Sequence, residues 1–250
     1  MLALLPNLRI LELRAFPTDA LEFLLPWNLP AHGFSQLVRI TATNDCAESW
    51  PSTFLQDILG NTTLQTIELA RVSLWYNSPN GPLQVPGFSE PLGCTTLTTL
   101  HLPNSAITGE EMQKLLSASS RLKRLYYSYN PYLSPGGCTA AELITLLEPL
   151  KHTLEELFLD IVHMPISLAD LDDENEEDEE QHSSDHLIDS LSHFTALRRL
   201  DTTADVWRML DEMTVANAYE WGPTDVSIAV SDRWCLRLPQ HLELLCLHMN

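Results

Sequence analysis

The residues of this 250-residue chain best suited to chemistry are a few histidines, five cysteines and many acids. His182 and His186 stand four apart, with Asp185 and Asp189 beside them. On a helix that spacing puts both imidazoles on one face, as in a two-histidine metal pair. A third strong ligand pattern is missing, and there is no H-E-x-x-H, so no metal site is expected. His101 and Cys46 carry no local signature of a thiol nucleophile and its base. The chain also lacks a G-x-S-x-G elbow, a glycine-rich phosphate loop and a paired catalytic carboxylate motif. The expectation is a non-catalytic protein without a cofactor.

Composition narrows the class further. Cys46, Cys94, Cys138, Cys235 and Cys246 are odd in number, scattered, and form no C-x-x-C pair. That fits reduced thiols, and hence a cytoplasmic or nuclear location. The chain holds 34 acids against 14 bases, a formal charge of −20. Such a surface repels polyanions, so nucleic acid and anionic membranes are not expected partners, whereas a basic protein is admissible. No apolar run approaches the roughly 18–20 residues needed to cross a bilayer. Met1-Leu2-Ala3-Leu4-Leu5 lacks the basic start of a signal peptide. Nine of the eleven residues at 170–180 are acids, which repel one another and cannot pack. Residues 168–184 therefore read as an acidic, disordered insertion.

The elements that must position any site come from one recurring phrase. Thr96-Leu97-Thr98-Thr99-Leu100-His101-Leu102 reads L-x-x-L-x-L. The same relation holds at Leu8/Leu11/Leu13, Leu64/Ile67/Leu69, Leu154/Leu157/Leu159 and Leu242/Leu245/Leu247. Weaker copies stand at Leu37/Ile40/Ala42, Leu122/Leu125/Tyr127 and Leu197/Leu200/Thr202. The eight starts are spaced by 29, 27, 33, 25, 32, 43 and 45 residues. Side chains alternate along a strand, so the second and third apolar residues of each phrase face inward and their neighbours outward. One phrase cannot bury its apolar side alone, and stacking on the next buries it. The fold class expected is α/β, a leucine-rich repeat solenoid with a curved parallel sheet and irregular convex connections. It is one domain, 1–250, of about eight repeats. A further insertion occupies 204–240, holds Trp207, Trp221 and Trp234, and has a strand-like run at 226–230. Both end phrases are expected to leave the core open.

Between the phrases, helices are expected at residues 18–25, 52–59, 109–116, 139–147 and 185–191. Thr108 is an N-cap candidate, and Thr139 with Glu142 has capping-box spacing. The proline-rich stretch 77–93 reads as an irregular loop.

The outward strand positions form the candidate binding face. They include Arg39, Glu68, His101, Arg124, Tyr126, Glu156, Phe158, Asp160, Arg199 and Asp201, together with Thr41, Thr99, Ser128, Thr203 and His248. Tyr126 and Phe158 are aromatics at positions the pattern assigns to solvent, with Arg124 and Arg199 nearby in the pattern. Aromatic and arginine side chains commonly anchor protein interfaces.

The repeats, with Leu5-Pro6-Asn7-Leu8-Arg9-Ile10-Leu11-Glu12-Leu13 and Leu238-Pro239-Gln240-His241-Leu242-Glu243-Leu244-Leu245, make the chain resemble fungal F-box/leucine-rich-repeat proteins. In that family the repeats hold a substrate for ubiquitin transfer, and an F-box binds a Skp1-type adaptor. The resemblance therefore implies substrate recognition in a ubiquitin ligase, with an adaptor contact only if an F-box lies upstream. In the family an asparagine often ties the turn eight residues after the first leucine. Here those positions are Phe16, Asp45, Val72, Ser105, Asn130, Val162, Asp205 and Asn250. The alternative function is a freestanding acidic scaffold or inhibitor that binds a basic protein.

Overall fold

A computed structural model describes residues 7–14, 36–43, 50–51, 63–73, 75–78, 81–84, 96–130, 137–161, 188, 190–203 and 237–248. The chain divides into two compact units, Met1–Cys138 and Thr139–Asn250. In the first, strands β1 (Ile10–Arg14), β2 (Arg39–Thr43), β4 (Thr66–Leu69), β8 (Thr99–Ser105) and β9 (Arg124–Tyr129) form an open, all-parallel sheet in that order. Two small pairs accompany it: β3 (Trp50–Pro51) runs parallel to β5 (Val72–Ser73), and β6 (Trp75–Ser78) antiparallel to β7 (Gly81–Gln84). In the second unit β10 (Glu156–Asp160), β11 (Arg199–Thr203) and β12 (Leu244–His248) are again parallel and in chain order.

Each phrase enters its strand at the third position, and equivalent positions pair. Leu11 faces Ile40, Ile40 faces Ile67, Ile67 faces Leu100 and Leu100 faces Leu125. In the second unit Leu157 faces Leu200, and Leu200 faces Leu245. A repeated backbone contact holds this register. The carbonyl of the second phrase residue accepts the amides of the second and third residues of the next phrase. Arg9 O receives Val38 N at 2.8 Å and Arg39 N at 3.1 Å. Val38, Gln65 and Thr98 do the same for their successors, as do Glu155 and Arg198 in the second unit. Both lone pairs of one oxygen are used.

The inward row is the core. Ile40, Ala42, Ile67, Leu69, Leu100, Leu102, Leu125 and Tyr127 are buried, as are Leu157, Leu159, Leu200 and Thr202. Tyr127 takes a leucine position and is fully buried. Burial pushes its phenol far above the usual range, and the Ile107 backbone offsets part of that shift. On β12 the row weakens: Leu242, Leu245 and Leu247 are only half-buried.

Helix α1 (Gly109–Ser117) buries Met112, Leu115 and Leu116. Thr108 is its N-cap residue, but its side chain makes no capping bond. The hydroxyl donates instead to Glu111 Oε2 at 3.2 Å. Helix α2 (Ala140–Leu147) does have the expected capping box: Glu142 N donates to Thr139 Oγ1, and Thr139 N to Glu142 Oε2. A 3-10 turn, Glu148–Leu150, follows it. Two expectations are corrected. Trp75–Ser78 and Gly81–Gln84 pair as antiparallel strands, where 77 onward was expected to be irregular; a strand of a two-stranded ribbon tolerates Pro82, which lacks an N–H. Ile188, Ser190 and Leu191 are not helical. The helices expected at 18–25 and 52–59, the acidic run and the run at 226–230 lie outside the described residues, as does nearly all of the 204–240 insertion.

At the turn position Ser105 takes the role expected of asparagine. Fully buried, its Oγ accepts from Val72 N at 3.0 Å and donates to Pro103 O at 3.2 Å. Its carbonyl accepts from Asn130 N at 3.1 Å. Beside it the β8–β9 register shifts, with Pro103 and Asn104 set against Ser128. Asn104 sits at φ 51°, a left-handed conformation that asparagine tolerates, and its amide donates to Ser128 Oγ at 2.7 Å. Ser128 is thereby buried, not outward as the alternation implies.

Ser105→Ala leaves the Val72 amide buried without its acceptor, so it should lower the unfolding free energy by about 1–3 kcal/mol in chemical denaturation. An unchanged midpoint would show that Ser105 does not tie this turn. Glu111 gives a second prediction. It is buried, and burial raises its pKa to about 7, with the Thr108 hydroxyl opposing. Its folded pKa exceeds its unfolded one, so stability is greatest below about pH 4.5 for this group and is lost as pH rises to about 7. Glu111→Gln should remove that loss, giving a variant more stable than the parent above pH 7. A parent-minus-variant difference that is flat from pH 4 to 8 would contradict it.

Candidate protein-binding face

The register that stacks the inward row also aligns the outward one. In the first unit Glu12, Thr41, Glu68, His101 and Tyr126 stand side by side on successive strands. Glu68 is the hub. It receives Arg39 Nη2 at 3.3 Å and Thr41 Oγ1 at 3.4 Å on Oε2, and meets His101 Nδ1 at 3.4 Å on Oε1. The His101 ring packs edge-on against Tyr126, with centroids 4.0 Å apart and planes at 75°. Burial lowers the His101 pKa, and the charge and hydrogen bond of Glu68 work against that shift. The Nδ1 edge of the imidazole faces the carboxylate. In the row beside it Arg124 Nε donates to Thr99 Oγ1 at 3.1 Å.

In the second unit Phe158, Asp201 and Cys246 share one row, and Glu156, Arg199 and Leu244 the next. Asp201 was expected to face solvent, but it is only 8 % exposed. Its carboxylate is held by His248 Nε2 at 2.7 Å and approached by Arg199 Nη2 at 3.7 Å. Phe158 lies half-buried near His248, ring centroids 6.5 Å apart. Glu156 and Arg199 are exposed and Asp160 half-exposed, whereas Thr203 is buried. Thr203 and Ser128 are thus removed from the face that alternation assigned to them.

The structure therefore gathers Glu68, His101 and Tyr126 into one contiguous row, with Arg39 and Arg124 in the row beside it. Arg199, Asp201 and Phe158 form a second cluster around His248. The role of Thr41 as a partner of Glu68 follows from their equivalent phrase positions, whereas His248 reaches Asp201 from the position paired with Thr203.

His182, His186, Cys46 and the three tryptophans lie outside the described residues. Among the described residues no group of three or more His, Cys, Asp or Glu could hold a metal ion, and no helix is long and apolar enough to cross a membrane. No family model, curated protein or solved structure matches the chain.

Two of the three influences on His101 raise its pKa, and both come from Glu68. Glu68→Gln removes the charge and should depress the His101 pKa further in an NMR titration. An unchanged or higher value would show that the pair does not form in solution.

Proposed function

We propose that the chain is a leucine-rich-repeat solenoid and a non-catalytic protein-binding module that uses its outward strand face. The observation that carries this reading is the aligned row Thr41–Glu68–His101–Tyr126, with Arg39 of the neighbouring row bonded to Glu68. A buried-side register has placed guanidinium, carboxylate, imidazole and phenol groups next to one another on the accessible side of the sheet. Arginine and aromatic groups held by neighbours lose little conformational entropy when a partner docks. The recurring L-x-x-L-x-L phrase supports the solenoid reading, and the likeness to fungal F-box/leucine-rich-repeat proteins extends it to substrate recognition for ubiquitin transfer.

The net charge of −20 favours a second reading, an acidic scaffold or inhibitor of a basic protein. Its association would fall steeply with salt, because exposed charges are screened beyond about 8–10 Å at physiological ionic strength. A captured partner whose affinity is indifferent to salt speaks against it.

The face itself is tested by the double substitution Tyr126→Ala and Phe158→Ala. Both side chains are only half-buried, so the melting temperature should stay close to the parent's while capture of protein partners drops at least tenfold. Retained capture would refute the face. A large fall in melting temperature would place both side chains in the core.

A further inference from the structure

The bases of this acidic chain are not spread evenly over it. In the first unit the second and third phrase positions form two adjoining rows across β1, β2, β4, β8 and β9. Of the ten residues in these rows Arg9, Arg39, Lys123 and Arg124 are bases and none is an acid, although acids outnumber bases 34 to 14 in the whole chain. All four bases are exposed. The other six residues are uncharged, and Thr66, Thr98 and Thr99 bring hydroxyls. The acids of the next row each already hold a guanidinium: Glu12 that of Arg14 at 3.2 Å, and Glu68 that of Arg39 at 3.3 Å.

Two guanidinia of the band are oriented in the same way. Arg39 Nε donates to Thr41 Oγ1 at 3.3 Å, and Arg124 Nε to Thr99 Oγ1 at 3.1 Å. A hydroxyl on Nε fixes the plane of the group and leaves Nη donors for a docking partner. Arg39 uses Nη2 on Glu68, and its Nη1 edge remains. In their row Arg39 and Arg124 stand three strand steps apart, with Thr66 and Thr99 between them. That separation is about 14 Å at the usual strand spacing. An extended peptide rises about 3.3 Å per residue, so carboxylates up to about four residues apart reach both.

We infer that this band takes an acidic polypeptide segment, whose Asp and Glu carboxylates pair with Arg39 and Arg124 across the two threonines. The inference rests on the outward strand face being a binding face, and it names the chemistry of what the first unit binds there. The whole-chain charge of −20 points to a basic partner, and the band points the other way. Charges beyond about 8–10 Å are screened at physiological ionic strength, so the guanidinia in contact outweigh distant acids. A carboxylate also matches the fork of a guanidinium, with two parallel N–H donors. A long polyanion would run off the band, outside which all 34 acids of the chain lie, whereas a short acidic segment need not.

Fluorescence anisotropy with two labelled peptides tests the inference, one of alternating Glu and Ser and one of alternating Lys and Ser. At physiological ionic strength the Glu peptide should bind and the Lys peptide should not. Arg39→Gln and Arg124→Gln should each weaken the Glu peptide about fivefold. Lys114→Gln removes the same charge from helix α1, outside the band, and should change the affinity by less than about twofold. Preference for the Lys peptide, no binding of the Glu peptide, or an equal loss from Lys114→Gln overturns the inference. So does a single-stranded oligonucleotide that displaces the Glu peptide at equal charge, since that assigns the band to phosphates. The face itself is judged separately, by partner capture with the Tyr126→Ala and Phe158→Ala double variant. If that variant loses its partners while the Glu peptide goes unbound by the parent, the acidic preference fails and the face stands.

Discussion

One backbone contact recurs through the described structure: the carbonyls of Arg9, Val38, Gln65, Thr98, Glu155 and Arg198, each at the second position of its phrase, accept two amides from the next phrase. It fixes register independently of side chains. Slipping a strand by one residue would turn its inward row to solvent. With the register held, the inward positions accept quite different residues. Ala42, Tyr127 and Thr202 occupy the third apolar position of their phrases and are all fully buried. The leucines supply burial, and the carbonyl supplies alignment. The outward rows inherit that alignment and so bring together residues that lie 25–45 positions apart in the chain.

The strands and their facing were legible because period-two alternation is a local signal. So was the capping box of α2, whose Thr139 and Glu142 are three residues apart. The burial of Asp201 was not legible, because it depends on His248, a whole insertion away in sequence. Ser128 was misplaced for another reason. The register shift at Pro103 and Asn104 requires a left-handed residue, and nothing in the alternation of either strand announces it. Ser105 shows a substitution of means: a hydroxyl ties a turn where an amide was expected, so a search for asparagine alone passes over it.

The two acidic hubs of the outward face are built differently. Glu68 keeps three partners drawn from β2 and β8 and remains partly accessible. Asp201 is nearly buried, and its nearest partner comes from the edge strand β12. Any change at β12 thus reaches the face of the second unit through His248, whereas the row of the first unit is anchored on interior strands.

The unequal lengths between phrases carry a consequence for chain entropy. The step from β8 to β9 closes a loop of 25 residues, and that from β11 to β12 one of 45. For flexible loops the difference in closure entropy is about 0.5 kcal/mol, because the dependence on length is only logarithmic. That is smaller than the worth of a single buried hydrogen bond. Long insertions therefore weigh little against a register fixed by backbone contacts, and sequence between phrases is free to lengthen while the sheet keeps its order. Among the described strands β12 combines the longest closure with the least-buried inward row, and it is the strand whose His248 holds Asp201.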